Sequence, residues 1–234
     1  MDTKNYKPKV SLIIPVYNVE NYIARSLKSA VEQTMQDIEI IVVNDGSTDN
    51  SLQIINKFAD KYDNIVVINQ NNMGLSGARN TGLKNAKADY IAFLDSDDFV
   101  DKKFIEVLYN LATEHDADIA YCNFYMYFPE NDRSKYKIMT SRNAIYSSDI
   151  ALKKLIMDTT LHYYAWNKLY KKSLFTDNKI EFFDVLFEDI ATIPRLFYYA
   201  NKVAVTNKAL YYYTQRRGSI INSVNIKKTN DYTI

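Results

Sequence analysis

A single cysteine among 234 residues excludes an intramolecular disulfide and any cysteine-based zinc cluster. Cys122 stands inside an apolar run and reads as a small core residue rather than a nucleophile. Charge of one sign is also lacking. Lys+Arg 29 against Asp+Glu 28 leaves no basic excess, so wholesale nucleic-acid binding is not expected. No apolar run approaches the ~20 residues that a membrane span needs. Residues 1–9 are polar where a signal peptide would be apolar. These absences point to a soluble protein of a reducing compartment. The expected location is cytoplasmic, with room for peripheral attachment to the inner face of a membrane. Internal repeats and low-complexity tracts are missing too. The first strand is not followed by Gly-x-Gly-x-x-Gly, which removes the dinucleotide fingerprint.

What is present is enough apolar material for a full core, 47% of residues. The first ~115 residues alternate strand and helix patterns, the mark of an α/β domain with a mostly parallel sheet. Strands are expected at 10–16, 38–43, 65–68, 90–94 and 119–124. Helices are expected at 22–34, 52–62, from the 71–80 segment to about 87, and at 104–115, the last with Asp101 as N-cap. Beyond Phe128 the pattern loosens. Residues 129–137 read as a loop or hairpin tip, 149–157 as a helix, 162–170 as an aromatic segment, 190–200 as a helix and 210–215 as a strand. Pro194 must lie in the first turn of its helix or kink it. No linker separates the halves, so 1–234 is read as one domain. The last residues close no structural unit, and the chain is expected to be cut short there.

The most informative stretch is Asp89-Tyr-Ile-Ala-Phe-Leu-Asp95-Ser-Asp97-Asp98. A buried strand that runs into three carboxylates points them at the carboxyl edge of a sheet, where open α/β folds bind ligands. Such acids repel one another unless a cation lies among them. Tyr17-Asn18 and Asn44-Asp45 end two other strands on the same edge. Helix N-termini that follow the tips favour a diphosphate. Nucleotide recognition with a divalent metal is the chemistry these features suggest.

Four segments in order carry a resemblance: Pro15-Val-Tyr17-Asn18-Val-Glu20, Asn44-Asp45-Gly46-Ser47-Thr48-Asp49, Gly74-Leu-Ser-Gly77-Ala78-Arg79-Asn80 and Leu94-Asp95-Ser96-Asp97-Asp98. The chain resembles the family 2 glycosyltransferases, strongly over 9–125 and more loosely through Trp166-Asn167-Lys168-Leu-Tyr, Phe187-Glu188-Asp189 and Tyr211-Tyr-Tyr-Thr-Gln-Arg216-Arg217-Gly-Ser219. The resemblance implies a GT-A-like three-layer α/β sandwich. Residues 9–125 would form the nucleotide-sugar half and 126–234 an acceptor-side extension. It implies an inverting enzyme of bacterial polysaccharide assembly. Such an enzyme would move a sugar from a nucleotide-diphosphate donor, UDP-linked by expectation, to a hydroxyl of a glycan or lipid-linked acceptor.

The roles it implies are residue-specific. Asp97 is the metal ligand of the DxD motif for Mn²⁺ or Mg²⁺, and Asp95 lies against the ribose or the metal, with Ser96 between them. Asp98 is a supporting acceptor or cap. Asp45 meets the base, where a carboxylate suits an imide N–H such as that of uracil, or else caps the next helix. Pro15 and Tyr17 wall the base and ribose, and Glu20 belongs to the same donor set, although Tyr17 could be plain core. Arg79 stacks on the base or pairs with Asp95 or Asp97. Arg216, Arg217 and Ser219 clamp the diphosphate or face solvent.

Asp189 is the implied base, with Glu188 orienting it; read without the resemblance, an Asp there is a helix cap. An inverting transfer needs one such carboxylate opposite the leaving group. His162 is a third metal ligand or a structural histidine, and Trp166 stacks on an acceptor sugar or packs in the core. The 20 tyrosines suit a sugar-like partner or ordinary packing. Two other readings remain: a sugar-nucleotide pyrophosphorylase-like enzyme, which lacks its glycine-rich loop here, and a non-catalytic nucleotide-sugar binder.

Overall fold

The computed structural model describes residues 7–137, 142–185 and 187–215. The N-terminal half alternates as expected. Strand β1 (Val10–Val16) leads to helix α1 (Ile23–Val31), then β2 (Ile38–Asp45), α2 (Ser51–Ala59), β3 (Ile65–Gln70), α3 (Gly74–Asn85), β4 (Tyr90–Phe93), a short β5 (Phe99–Val100), α4 (Phe104–Glu114) and β6 (Ile119–Phe128). A 3₁₀ turn at Pro129–Asn131 reverses the chain into β7 (Arg133–Lys137), which pairs with β6, so the expected loop or tip is a hairpin. There follow β8 (Ala144–Ser147), α5 (Ser148–Ile156), β9 (Lys168–Lys171), α6 (Ser173–Thr176), α7 (Glu188–Tyr199) and β10 (Lys202–Thr214).

The main sheet has the order β3-β2-β1-β4-β9-β6-β10-β5. Parallel pairing joins β3, β2, β1 and β4. Strand β9 runs antiparallel between β4 and β6, and β10 returns parallel to β6. Hence all these strands except β9 and β5 point one way. Every residue of β1 and β2 is buried, because helices cover both faces of a parallel sheet. In α1 the buried Ile23, Leu27 and Ala30 repeat at helical spacing. Gly82 sets the seat of α3. A Cβ there would come within 2.3 Å of Ile13 Cγ2, so only glycine lets the helix lie this close to β1.

Several expectations need adjustment. Helix α7 starts at Glu188, not 190, after Phe187 in the left-handed region (φ 62°). Pro194 therefore falls in its second turn and cannot donate to the Ile190 carbonyl. The Asp101 carboxylate accepts the Lys103 N–H at 2.8 Å, one residue ahead of the first helical turn. The aromatic segment contains a sheet strand, β9, and β10 begins eight residues earlier than the pattern suggested. Among the described residues no helix is long and apolar enough to cross a membrane.

Candidate active site

The parallel strands deliver three tips to one edge. Val16 of β1 pairs with Asn44 of β2, and Ile13 with Phe93 of β4, so Tyr17, Asp45 and the 95–98 acids leave the sheet side by side. Pro15 is buried within β1, whereas Tyr17 is 50% exposed beyond its end. Asn18 takes a positive φ of 49° and binds the turn after β2: its Oδ1 accepts the Thr48 N–H at 2.8 Å, and its own N–H donates to Ser47 Oγ at 3.2 Å.

Asp45 is buried. Its Oδ1 accepts Gln70 Nε2 at 2.7 Å and the Met73 N–H at 2.8 Å, so it also holds the entrance to α3. Glu20 binds the turn before α2. Its Oε2 accepts both the backbone and side-chain N–H groups of Asn50 (2.9 and 2.7 Å), the residue that immediately precedes α2.

The acid cluster sorts into distinct environments. Asp95 and Asp97 are half-buried, Ser96 is buried, and Asp98 is withdrawn entirely. Asp98 accepts the Tyr211 hydroxyl and the Thr214 N–H, each at 2.7 Å. Burial, with the charges of Asp97 and Asp95 beside it, pushes its carboxyl well above the usual range. Asp98 therefore ties the cluster to β10 and is not turned toward a ligand.

Arg79 is the centre of the site. It is 1% exposed, and its guanidinium meets three carboxylates: Asp95 at 2.9 Å, Glu188 at 2.5 Å and Asp189 at 2.8 Å. Despite burial, these charges hold it firmly protonated. A guanidinium so enclosed offers no face to a base, so the stacking role falls away and the pairing with Asp95 stands. Through Arg79, the first turn of α7 is fastened to the loop after β4.

Asp189 has its two oxygens held from opposite sides. Oδ1 meets Arg79 and Oδ2 accepts the Ala165 N–H at 3.0 Å. Burial, reinforced by Glu188 and Asp95 and opposed by Arg79, pushes its carboxyl up to about 6. A carboxylate so poised is mostly ionised at neutral pH yet basic enough to take a proton.

The Trp166 expectation resolves toward packing. Trp166 is 3% exposed and is stacked between Tyr164 (4.7 Å) and Tyr211 (4.3 Å), so it has no open face for a sugar. His162 pairs with Asp158 and tilts against Tyr164 at 6.0 Å. Arg216, Arg217 and Ser219 lie outside the described residues. Among the described residues no three His, Cys, Asp or Glu side chains gather to hold a metal by themselves. What the loop after β4 offers is two half-buried carboxylates, Asp95 and Asp97. That donor set fits a hard cation whose remaining positions are filled by phosphate and water. A groove of about 690 Å³ lies along α3 between Lys84, Lys172 and Arg195, and it shares no residue with the acid cluster.

Sequence reading did not find the contributions of Gln70, Ala165, Lys168 and Tyr211. Gln70 acts from β3, opposite Asp45 of β2, and Tyr211 from β10, partners that only the strand register reveals, and Ala165 contributes only a backbone N–H, which carries no side-chain signal.

A sheet of this order, with an acid pair beyond β4, defines a GT-A type α/β fold. The chain belongs to glycosyl transferase family 2, whose family model matches residues 11–178. It is 38% identical over 220 residues to "Glycosyltransferase GlyA" of Streptococcus pneumoniae, covering 91% of this chain and 31% of that protein. It is 35% identical over 229 residues to "Cholesterol galactosyltransferase" of Borreliella burgdorferi, covering 94% and 64%. The crystal structure of S. aureus TarS 1-349 in complex with UDP-GlcNAc superposes with a TM-score of 0.74 at 30% identity, over 93% of this chain and 62% of that one. The chain thus spans from about a third to under two thirds of these proteins.

Proposed function

We propose that this chain is the catalytic part of an inverting glycosyltransferase. It takes a sugar from a UDP-linked donor and places it on a hydroxyl of a glycan or lipid-linked acceptor. The observation that carries the reading is the position of Asp189. It sits in the first turn of α7, is joined through Arg79 to the acids beyond β4, and its carboxyl is pushed up to about 6. Asp189 takes the acceptor proton as that oxygen attacks the anomeric carbon. Arg79, which Glu188 also engages, and the Ala165 N–H fix its direction. Asp45 meets the base through Oδ2, since Oδ1 is already engaged, and Tyr17 lies at the open end of β1 beside it. Asp97 and Asp95 would hold the divalent cation, Mn²⁺ or Mg²⁺, which when bound neutralises charge on the departing diphosphate.

Support for a UDP-linked donor comes from the TarS complex with UDP-GlcNAc. A lipid hydroxyl as acceptor is supported by the name of the Borreliella burgdorferi relative, "Cholesterol galactosyltransferase".

The test is a panel of nucleotide sugars assayed for nucleoside-diphosphate release in the presence of Mn²⁺. Release from a UDP-sugar, cut roughly 10²-fold or more in Asp189→Ala with donor binding retained, is the expected result. Equal turnover in Asp189→Ala removes that residue from its role. Silence with UDP-sugars but release from another nucleotide sugar overturns the uracil assignment to Asp45.

A further inference from the structure

Lys168 is fully buried in β9, with 0% of its surface exposed and, among the described residues, no carboxylate in direct contact. A lysine in that setting is costly unless its three protons are satisfied. Here they are. Nζ donates to the His162 carbonyl at 2.9 Å, to the Tyr164 carbonyl and to Asn167 Oδ1 at 2.7 Å, and it lies 4.7 Å from the centre of the Tyr121 ring. The ammonium therefore gathers the carbonyls of the segment just before it. The same segment is fastened at its other side. Asn167 Nδ2 donates to the Cys122 carbonyl, and the Tyr170 hydroxyl donates to the Ala165 carbonyl. The group this closed loop presents outward is the Ala165 N–H, which meets Asp189.

We infer that Lys168 is a positioning residue: its ammonium closes the 162–167 loop, and the closed loop aims the Ala165 N–H at the Asp189 carboxylate. The inference rests on the reading of Asp189 as the base. It adds an electrostatic role, because the Lys168 charge and the Asp189 charge act on each other through the protein. Burial pulls the lysine down to about 7 even with Asp189 and Cys122 opposing the fall, and the three acceptors gathered on Nζ match the three protons of the ammonium form. The other groups acting on Asp189 are Arg79 from α3, Glu188 from its own turn, Asp95 beyond β4, the half-buried phenol of Tyr164 and the buried phenol of Tyr170. Of these only Arg79 is a cation, so among the described residues Lys168 adds a second positive charge to those acting on the carboxylate.

The test compares wild type with Lys168→Met, with Mn²⁺–UDP binding as the check that the fold and donor site are intact. Protein labelled with ¹³C at aspartate carboxyls reports the Asp189 titration directly, the signal being assigned by its loss in Asp189→Asn. Removal of the ammonium is expected to raise that apparent pKa by about half a unit or more. It is also expected to cut kcat roughly tenfold while UDP affinity stays within about twofold. A merely structural role would not move the titration. If the methionine variant does not bind UDP, Lys168→Gln keeps a donor for the carbonyls without the charge and carries the same expectation. An unmoved Asp189 titration in a UDP-binding variant overturns the inference. If the titration moves but Asp189→Asn transfers sugar as well as wild type, the base reading falls while the role of Lys168 toward Asp189 stands.

Discussion

The Arg79 guanidinium lies 2.8 Å from the Asp189 carboxylate, across 110 residues of sequence, and the same guanidinium holds Asp95 at 2.9 Å. One buried cation thus joins the strand-tip acids to the proposed base. Arg79→Met would leave Asp95, Glu188 and Asp189 without their counter-ion. Breaking a buried ion network from one side costs about 3–5 kcal/mol. Urea unfolding at neutral pH should show a loss of that order. The loss should shrink when Asp189→Asn is added, because one of the stranded charges is then gone. A drop of less than about 1 kcal/mol would show that water repays the lost contacts.

The raised carboxyl of Asp189 fixes the sign of two pH effects. Transfer should fall as pH drops through about 6, the value toward which burial moves this group, since the base is then protonated. Stability runs the other way. Between the unfolded value near 4 and the folded value near 6, the native state holds the extra proton, so this group's contribution to stability declines as pH rises through that window. Asp189→Asn lacks the titration. Its stability relative to wild type should therefore improve between about pH 4 and pH 7 by on the order of 1–3 kcal/mol. Urea titrations at several pH values check this, and a gap that stays flat refutes the shift.

The parallel half of the fold was legible because its signals are local. The apolar run 10–16 matches β1 residue for residue, and the acids after β4 announce their own edge. Strand β2 exceeded its reading by two residues because Asn44 and Asp45, polar by type, still pair with Asn69 and Gln70 of β3. Where a residue's partner is distant, the sequence was silent. Arg79 was placed near the nucleotide, but nothing local ties it to residues 188 and 189. Nothing near Glu20 in sequence announced its hold on Asn50, thirty positions on. Strand β9 was hidden by its own lysines. Lys168 is fully buried, and a lysine beside Trp166 and Asn167 carries no pattern of alternation.

Asp97 and Asp95 are proposed to hold a divalent cation together with a diphosphate. Calorimetry should therefore show UDP binding that depends on added Mn²⁺ and disappears on chelation. Asp97→Ala should weaken it by roughly 10²-fold or more, whereas Glu20→Gln, placed on Asn50, should leave affinity within a few-fold and act on thermal stability instead. Unchanged UDP affinity in both chelated protein and Asp97→Ala would end the metal assignment.

The Tyr211 hydroxyl sits between the two ends of the acid cluster. It accepts the Asp95 N–H at 3.2 Å and donates to Asp98 at 2.7 Å, and the Thr214 N–H reaches the other Asp98 oxygen. Strand β10 therefore sets the shape of the loop that carries Asp95 and Asp97. Tyr211→Phe keeps the ring between Trp166 and Phe104 and removes only the bridge. It leaves a backbone donor and a buried carboxyl each short of a partner, at a cost of about 1–3 kcal/mol. The carboxyl of Asp98 should move still higher, because the lost hydrogen bond is one of the contacts that lower it. Loosening the loop should also weaken Mn²⁺–UDP binding several-fold, a loss that a purely structural hydroxyl far from the donor would not cause. If Tyr211→Phe lowers stability but leaves Mn²⁺–UDP affinity intact, the bridge serves folding alone, and the geometry of Asp95 and Asp97 is set by β4 and Arg79.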